Sequence, residues 1–109
     1  MKLEDMISLR EYISPKELSP GRAVLAMSPK VMQHPAARSL ATLATVKSRP
    51  EAGLLNAKLN ILSKCLEVDY DTNIITEDDL NTYLSGQDMP QVEKAAVKVA
   101  ALLGVPLDA

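Results

Sequence analysis

The chain has 109 residues and a formal net charge of −2, and 47% of its residues are hydrophobic. This length is typical of one domain, and this hydrophobic content predicts a folded core, which excludes a disordered chain. Three Tyr are the only aromatic residues, so the core is built from aliphatic side chains, and neither the charge nor the aromatic content suits nucleic-acid binding.

The first nineteen residues are predicted to form a helix and a linker. Apolar side chains recur at helical spacing between Leu3 and Arg10, which indicates a short amphipathic helix. Residues 14–21 contain two prolines and a glycine, a composition typical of linkers. The charged start of the chain lacks the apolar stretch of a signal peptide, and no apolar run approaches the length of a membrane span. We therefore expect a cytoplasmic protein that is not embedded in a membrane.

Residues 22–27 form a short apolar run between turn residues and are predicted to be a strand. Alternation places Ala23, Leu25 and Met27 on one face of the strand. It places Arg22, Val24 and Ala26 on the other face. Ser28 and Pro29 then predict a capped helical turn. A helix is expected from Pro35, with Leu40 and Leu43 on its apolar side, and it ends before Pro50 and Gly53.

Residues 54–70 are predicted to be a hairpin. In the second arm, Leu66, Val68 and Tyr70 alternate with Cys65, Glu67 and Asp69, which is typical of a half-buried strand. In the first arm, the same rule places Leu55, Ala57 and Leu59 on the apolar face. Thr76 and the acids after it predict the start of a helix that ends at Gly86, and a last helix follows from Asp88 to Gly104.

This order of elements predicts an α+β protein. We expect a ferredoxin-like βαββα two-layer sandwich over residues 20–86, with an added N-terminal helix within residues 1–19. A C-terminal helix within residues 87–109 is expected to pack on or beside this core.

Three stretches resemble the heavy-metal-associated (HMA-like) domain of copper chaperones and metal-transport ATPases. They are Pro20–Met27, which resembles the first strand of a cysteine-less branch, Gly53–Asn60, and Asn60–Asp71 together with Ile74–Leu84. In members that carry metal, a Met-x-Cys-x-x-Cys loop follows the first strand. Met27 matches that Met, whereas Pro29 and Met32 stand at the two Cys positions. The resemblance thus implies an HMA-like fold that has lost soft-metal thiolate ligation, in a non-enzymatic accessory role beside metal-transport machinery.

Met27, Met32 and His34 lie within eight residues, which leaves a second function open. A loop with these ligands suits Cu(I) or haem in a protein that binds a metal or small ligand. The other interpretation places Met27 in the core and Met32 and His34 on a loop, with no cofactor bound. The sequence also lacks a glycine-rich phosphate loop and a Ser–His–acid grouping, so we do not expect an enzyme.

The sheet face opposite the core is the predicted contact surface. It is expected to carry Val24, Ala26, Leu54 and Cys65, and to bind a protein partner or a second copy of the chain. Cys65 is the only cysteine, so an intramolecular disulfide is excluded. Charge is divided along the chain: residues 1–64 carry ten Lys or Arg and five Asp or Glu, whereas residues 65–109 carry two Lys and nine acids. The two parts are expected to attract each other within one molecule or between two.

Overall fold

The computed structural model describes residues 1–60 and 62–108. Its strands are β1 (Ile13–Ser19), β2 (Arg22–Met27), β3 (Leu54–Asn60) and β4 (Cys65–Tyr70). Its α-helices are α1 (Leu3–Ser8), α2 (Ala37–Ala41), α3 (Glu77–Ser85) and α4 (Met89–Leu103). Short 3-10 turns cover Leu9–Tyr12, Pro29–Gln33, Thr42–Ala44 and Pro50–Ala52.

The four strands form one sheet in the order β1-β2-β4-β3, and every neighbouring pair is antiparallel. The strands β2 and β3 therefore run in the same direction with β4 between them, and the segment that contains α2 connects them. This arrangement confirms the predicted α+β class.

One face of the sheet carries the hydrophobic core. Ala23 and Leu25 of β2 lie in it together with Leu66, Val68 and Tyr70 of β4, as the alternation predicted. The helices contribute the other half, including Leu40, Leu43, Leu80, Tyr83, Val99 and Leu103. All of these residues belong to one cluster, so the helices pack against a single side of the sheet.

The expected linker is a strand. Residues 13–19 form β1 at the edge of the sheet, although they include Pro15. The Ser28 N–H donates to the Tyr12 carbonyl at 2.8 Å, and antiparallel alternation then turns the nitrogen of Pro15 away from β2. A proline at that position costs no ladder hydrogen bond, so a sequence typical of a linker is compatible with an edge strand.

The first arm of the hairpin is shifted by one residue at its start. A bulge between Leu54 and Asn56 places Leu54 in the core, fully buried, and leaves Leu55 51% exposed. The prediction for Leu55 was therefore wrong, because a bulge reverses the alternation on one side of it. Ala57, beyond the bulge, is buried as predicted. Arg49 fixes this start by exchanging two backbone hydrogen bonds with Leu54, at 2.7 and 3.0 Å.

Side chains form hydrogen bonds with backbone groups at both ends of α3. Thr76 Oγ1 accepts from the Asp79 N–H at 3.1 Å, and Asp79 accepts from the Thr76 N–H at 2.9 Å, which forms a capping box. At the other end, the Arg10 guanidinium donates to the Gly86 carbonyl at 2.8 Å. The predicted start at Thr76 and end at Gly86 are both confirmed.

The last helix, α4, ends in a Schellman motif. Gly104 has φ +74°, the Gly104 N–H donates to the Ala101 carbonyl, and the Val105 N–H donates to the Ala100 carbonyl at 2.8 Å. The Arg49 guanidinium packs where a Cβ of residue 104 would stand. The cation therefore lies at the negative end of the helix dipole, and Gly104 provides the space for it.

We expect Gly104→Ala to destabilise the protein by at least about 1–2 kcal/mol, because an L-residue is strained at this φ and its Cβ overlaps Arg49. Urea unfolding measures the loss. Gly21→Ala is the matched control, since Gly21 also has positive φ (+86°), but a Cβ there would meet only the Tyr70 carbonyl oxygen, at an ordinary contact distance of 3.8 Å. Equal losses for the two variants would contradict the role of Arg49.

We expect Asp79→Asn to reduce stability at pH 7 and to flatten its acid dependence. Partial burial raises the pKa of the Asp79 carboxyl, but the Thr76 N–H and the Lys98 ammonium outweigh burial and hold the pKa below its usual 3.8. The stabilisation is thus present above that pH and is lost as pH falls through the lower folded-state pKa. Chemical unfolding of both proteins between about pH 6 and pH 2 should show their stabilities converging in acid. If the stabilities of the wild-type chain and Asp79→Asn fell in parallel with pH, this prediction would be wrong.

Candidate functional site

The helices leave the second face of the sheet uncovered, and this outer face is the candidate interaction site. Register and alternation define its members: Ser14, Glu17 and Ser19 of β1, Arg22, Val24 and Ala26 of β2, Cys65, Glu67 and Asp69 of β4, and Asn56, Lys58 and Asn60 of β3. Short or charged side chains make up almost all of it.

Arg22 links three strands at one end of the outer face. Its guanidinium lies 2.6 Å from Glu67, 3.4 Å from Asp69 on the same neighbouring strand, and 3.4 Å from Glu17 on β1. The hydrogen bond to Glu67 raises the pKa of the Arg22 guanidinium above its ordinary value. The cation therefore stays charged at every physiological pH and holds three carboxylates close together.

Small and half-buried side chains occupy the rest of β2 on this face. Val24 lies between Glu17 and Glu67 in the register, and Ala26 lies between Ser14 and Cys65. Both side chains are half-buried, although neither belongs to the hydrophobic core cluster. These two residues form the apolar centre of the outer face.

The other two predicted contact residues are placed differently. Leu54 lies in the core because of the bulge, so its prediction as a surface residue was wrong. Cys65 is on the outer side of β4 by register, but it is only 5% exposed, and its Sγ donates to the Ser63 carbonyl at 3.4 Å. A thiol covered in this way offers little contact area to a partner.

His34 is buried and uses both of its ring nitrogens on protein partners. The Ala36 N–H donates to Nδ1 at 3.0 Å, so this nitrogen is unprotonated. Ser8 Oγ lies 2.9 Å from Nε2, and because the Ser8 hydroxyl already donates to the Asp5 carbonyl at 2.8 Å, it accepts the proton of Nε2. The Tyr12 ring meets the imidazole edge-on, with centroids 5.6 Å apart. The Ser8 hydroxyl is thus not available for activation by this imidazole.

Met27, Met32 and His34 have different surroundings in the fold. Met27 packs against the core, whereas Met32 is 73% exposed. With both nitrogens of His34 engaged, the imidazole has no free lone pair for a metal. Among the described residues, no group of three His, Cys, Asp or Glu side chains is placed to hold an ion.

Two grooves lie on the helical side. One, of about 610 Å³, runs past His34 and is lined by Asp5, Met32, Arg38 and Pro106 among others. The other, of about 490 Å³, lies between α3 and α4 and includes Asp79 and Lys98, which pair at 3.3 Å. Three of the seven residues that line this second groove are charged, namely Asp79, Lys94 and Lys98.

No match to a known protein was found. Neither a protein-family model, nor a curated protein, nor a solved structure matches the chain. Among the described residues, every helix is too short or too polar to cross a membrane.

Sequence reasoning did not identify Arg22 as the organising residue of the outer face. The signal was available in part, because Glu67 and Asp69 occupy the polar positions of a strand that pairs with β2. What alternation does not provide is the pairing of β2 with β4 and the register that sets Arg22 opposite Asp69.

We expect His34→Ala to lower stability by about 2–4 kcal/mol, because it removes a buried side chain and leaves the Ala36 N–H without its acceptor. Met32→Ala, on the same segment but exposed, should change stability by less than about 0.5 kcal/mol. Thermal or urea unfolding measures both. Unchanged stability in His34→Ala would show that this hydrogen-bonded histidine is not part of the core.

Proposed function

We propose that the chain is a non-enzymatic interaction domain that associates with a second copy of itself through the outer face. One observation carries the proposal: the helices pack on one side of the sheet only, while the other side presents Val24 and Ala26 at its centre. A domain of this size gains stability when it buries a second apolar surface.

The charges of the outer face suit burial against another protein. Covering a charge is costly when it leaves that charge without a partner. Here Arg22 already has Glu17, Glu67 and Asp69 within 3.4 Å, so contact with a partner does not separate it from counter-charges. Lys58 lies opposite Glu67 in the register. The face is therefore nearly neutral, and two copies do not strongly repel each other.

The topology supports a ferredoxin-like relationship. The strands β2, β3 and β4 have the arrangement of a split βαβ unit, with the two helix-connected strands parallel and a third between them. In our proposal, β1 takes the place of the fourth strand beside β2. An HMA-like origin and an accessory role at metal-transport machinery belong to the same proposal, and the resemblance of residues 20–86 is their support.

We expect sedimentation velocity or light scattering at about 50 μM to give the mass of a dimer. Val24→Lys should shift the protein to the monomer, because an ammonium group replaces the apolar centre of the contact. The variant should still fold, since its register neighbours are Glu17 and Glu67. Val97→Lys on α4, where Val97 is 51% exposed on the helical side, is the matched control and should remain dimeric.

Two results would contradict this proposal. One is a wild-type chain that remains monomeric at these concentrations. The other is a dimer that Val97→Lys disrupts and Val24→Lys does not, because that pattern places the contact on the helical side.

A further inference from the structure

We propose that the free edge of β3 binds an extended segment of another protein, as an added strand with an acidic side chain opposite Lys58. This inference goes beyond the proposed self-association, since it concerns the edge of the sheet and not its outer face. It depends on which backbone groups β3 leaves without a partner.

Hydrogen-bond alternation identifies these groups. The Met27 N–H donates to the Lys64 carbonyl, and the Tyr70 N–H donates to the Gly21 carbonyl. Even-numbered residues of β4 therefore bond to β2, and odd-numbered residues bond to β3. In the register of β3 with β4, the backbone groups of Asn56, Lys58 and Asn60 therefore point to β4. The backbone groups of Ala57 and Leu59 point to the open edge.

Within the described part of the chain, backbone pairing from the edge side reaches only the start of β3. Arg49 pairs with Leu54, as a short fifth strand would, and the pairing stops there. The residues before Arg49 do not continue it, because the Thr45 and Val46 N–H groups both donate back to the Thr42 carbonyl. Among the described residues, no backbone hydrogen bond reaches Ala57 or Leu59 from the edge side.

The two edges of the sheet differ in their protection. On β1, Pro15 offers no N–H at the edge, and a bulge between Pro15 and Glu17 interrupts the ladder. Proline, bulges and lysine are the devices that keep sheet edges from pairing. The edge of β3 has no proline, and its bulge lies at Leu54, away from Ala57 and Leu59, so Lys58 is the one such device at these positions.

Lys58 determines the kind of partner. Its exposed side chain stands between the two free backbone positions. A second β3 strand placed antiparallel and centred on residue 58 would set Lys58 directly against its own copy, and like charges directly opposite each other destabilise a sheet. An acidic residue at that place in a different chain has the opposite effect. Leu55 and Leu62, 51% and 96% exposed, flank the site and offer apolar contact at either end.

Hydrogen exchange of the wild-type chain tests the edge first. We expect the amide hydrogens of Ala57 and Leu59 to exchange with solvent much faster than those of Asn56 and Lys58, which face β4. Slow exchange at Ala57 and Leu59 would overturn the proposal, because it would mean that these groups already have partners.

Two blocked peptides then test the partner: Thr-Val-Glu-Val-Thr and its counterpart with Lys at the centre. Added at up to about 5 mM to ¹⁵N-labelled protein, the Glu peptide should shift the amide signals of Ala57 and Leu59. It should bind about two- to five-fold more tightly than the Lys peptide. Lys58→Gln should abolish this preference, whereas Lys16→Gln on the protected edge should retain it.

Each other outcome contradicts the proposal. Shifts confined to β1, equal binding of the two peptides, or no shift up to 5 mM would each overturn it. The mass of the free chain is measured separately, so a monomeric chain that binds the Glu peptide at β3 would contradict the proposed dimer alone. A dimer without such binding would contradict the edge proposal alone.

Discussion

The fold depends on the burial of one face of β4. This strand lies in the middle of the sheet, pairs with β2 on one side and with β3 on the other, and buries Leu66, Val68 and Tyr70. Since a strand has a side-chain period of two, burial of these three residues turns Glu67 and Asp69 outward. Because β2 and β3 pair with β4, their side chains are divided between the core face and the outer face in the same way. The core and the charged outer face are thus two consequences of one register.

Two tyrosine hydroxyls link separate segments within each layer, one between two helices and one between two strands. Tyr83 of α3 donates to the Met6 carbonyl of α1 at 2.7 Å, and Tyr70 of β4 donates to the Ser19 carbonyl of β1 at 2.6 Å. Burial raises the pKa of both phenols, so both remain protonated donors. With the imidazole of His34, they satisfy buried polar groups that join segments far apart in sequence, which ties the N-terminal residues to the rest of the domain.

Local sequence patterns predicted the elements whose ends are marked by turn residues or capping residues. The bounds of β2 at Arg22 and Met27 and the ends of α3 were predictable, because turn residues and a capping box mark them. The strand β1 was not, since Pro15 is compatible with a strand only at an edge, and edge position is a property of the whole sheet. The hydrogen bond of His34 to Ser8 spans 26 residues, and no spacing rule indicates it. The identity of the outer face was predictable, whereas the bulge that removes Leu54 from it was not.

The uneven distribution of charge along the chain is partly neutralised within the sheet. Arg22 belongs to the basic first part of the sequence, and Glu67 and Asp69 belong to the acidic second part. The antiparallel pairing of β2 with β4 places them in contact. Attraction between the two parts therefore acts inside one molecule at this point, where it supports the register. In the dimer that we propose, contact between copies therefore rests on Val24, Ala26 and shape, because the strongest charges of the outer face already have partners.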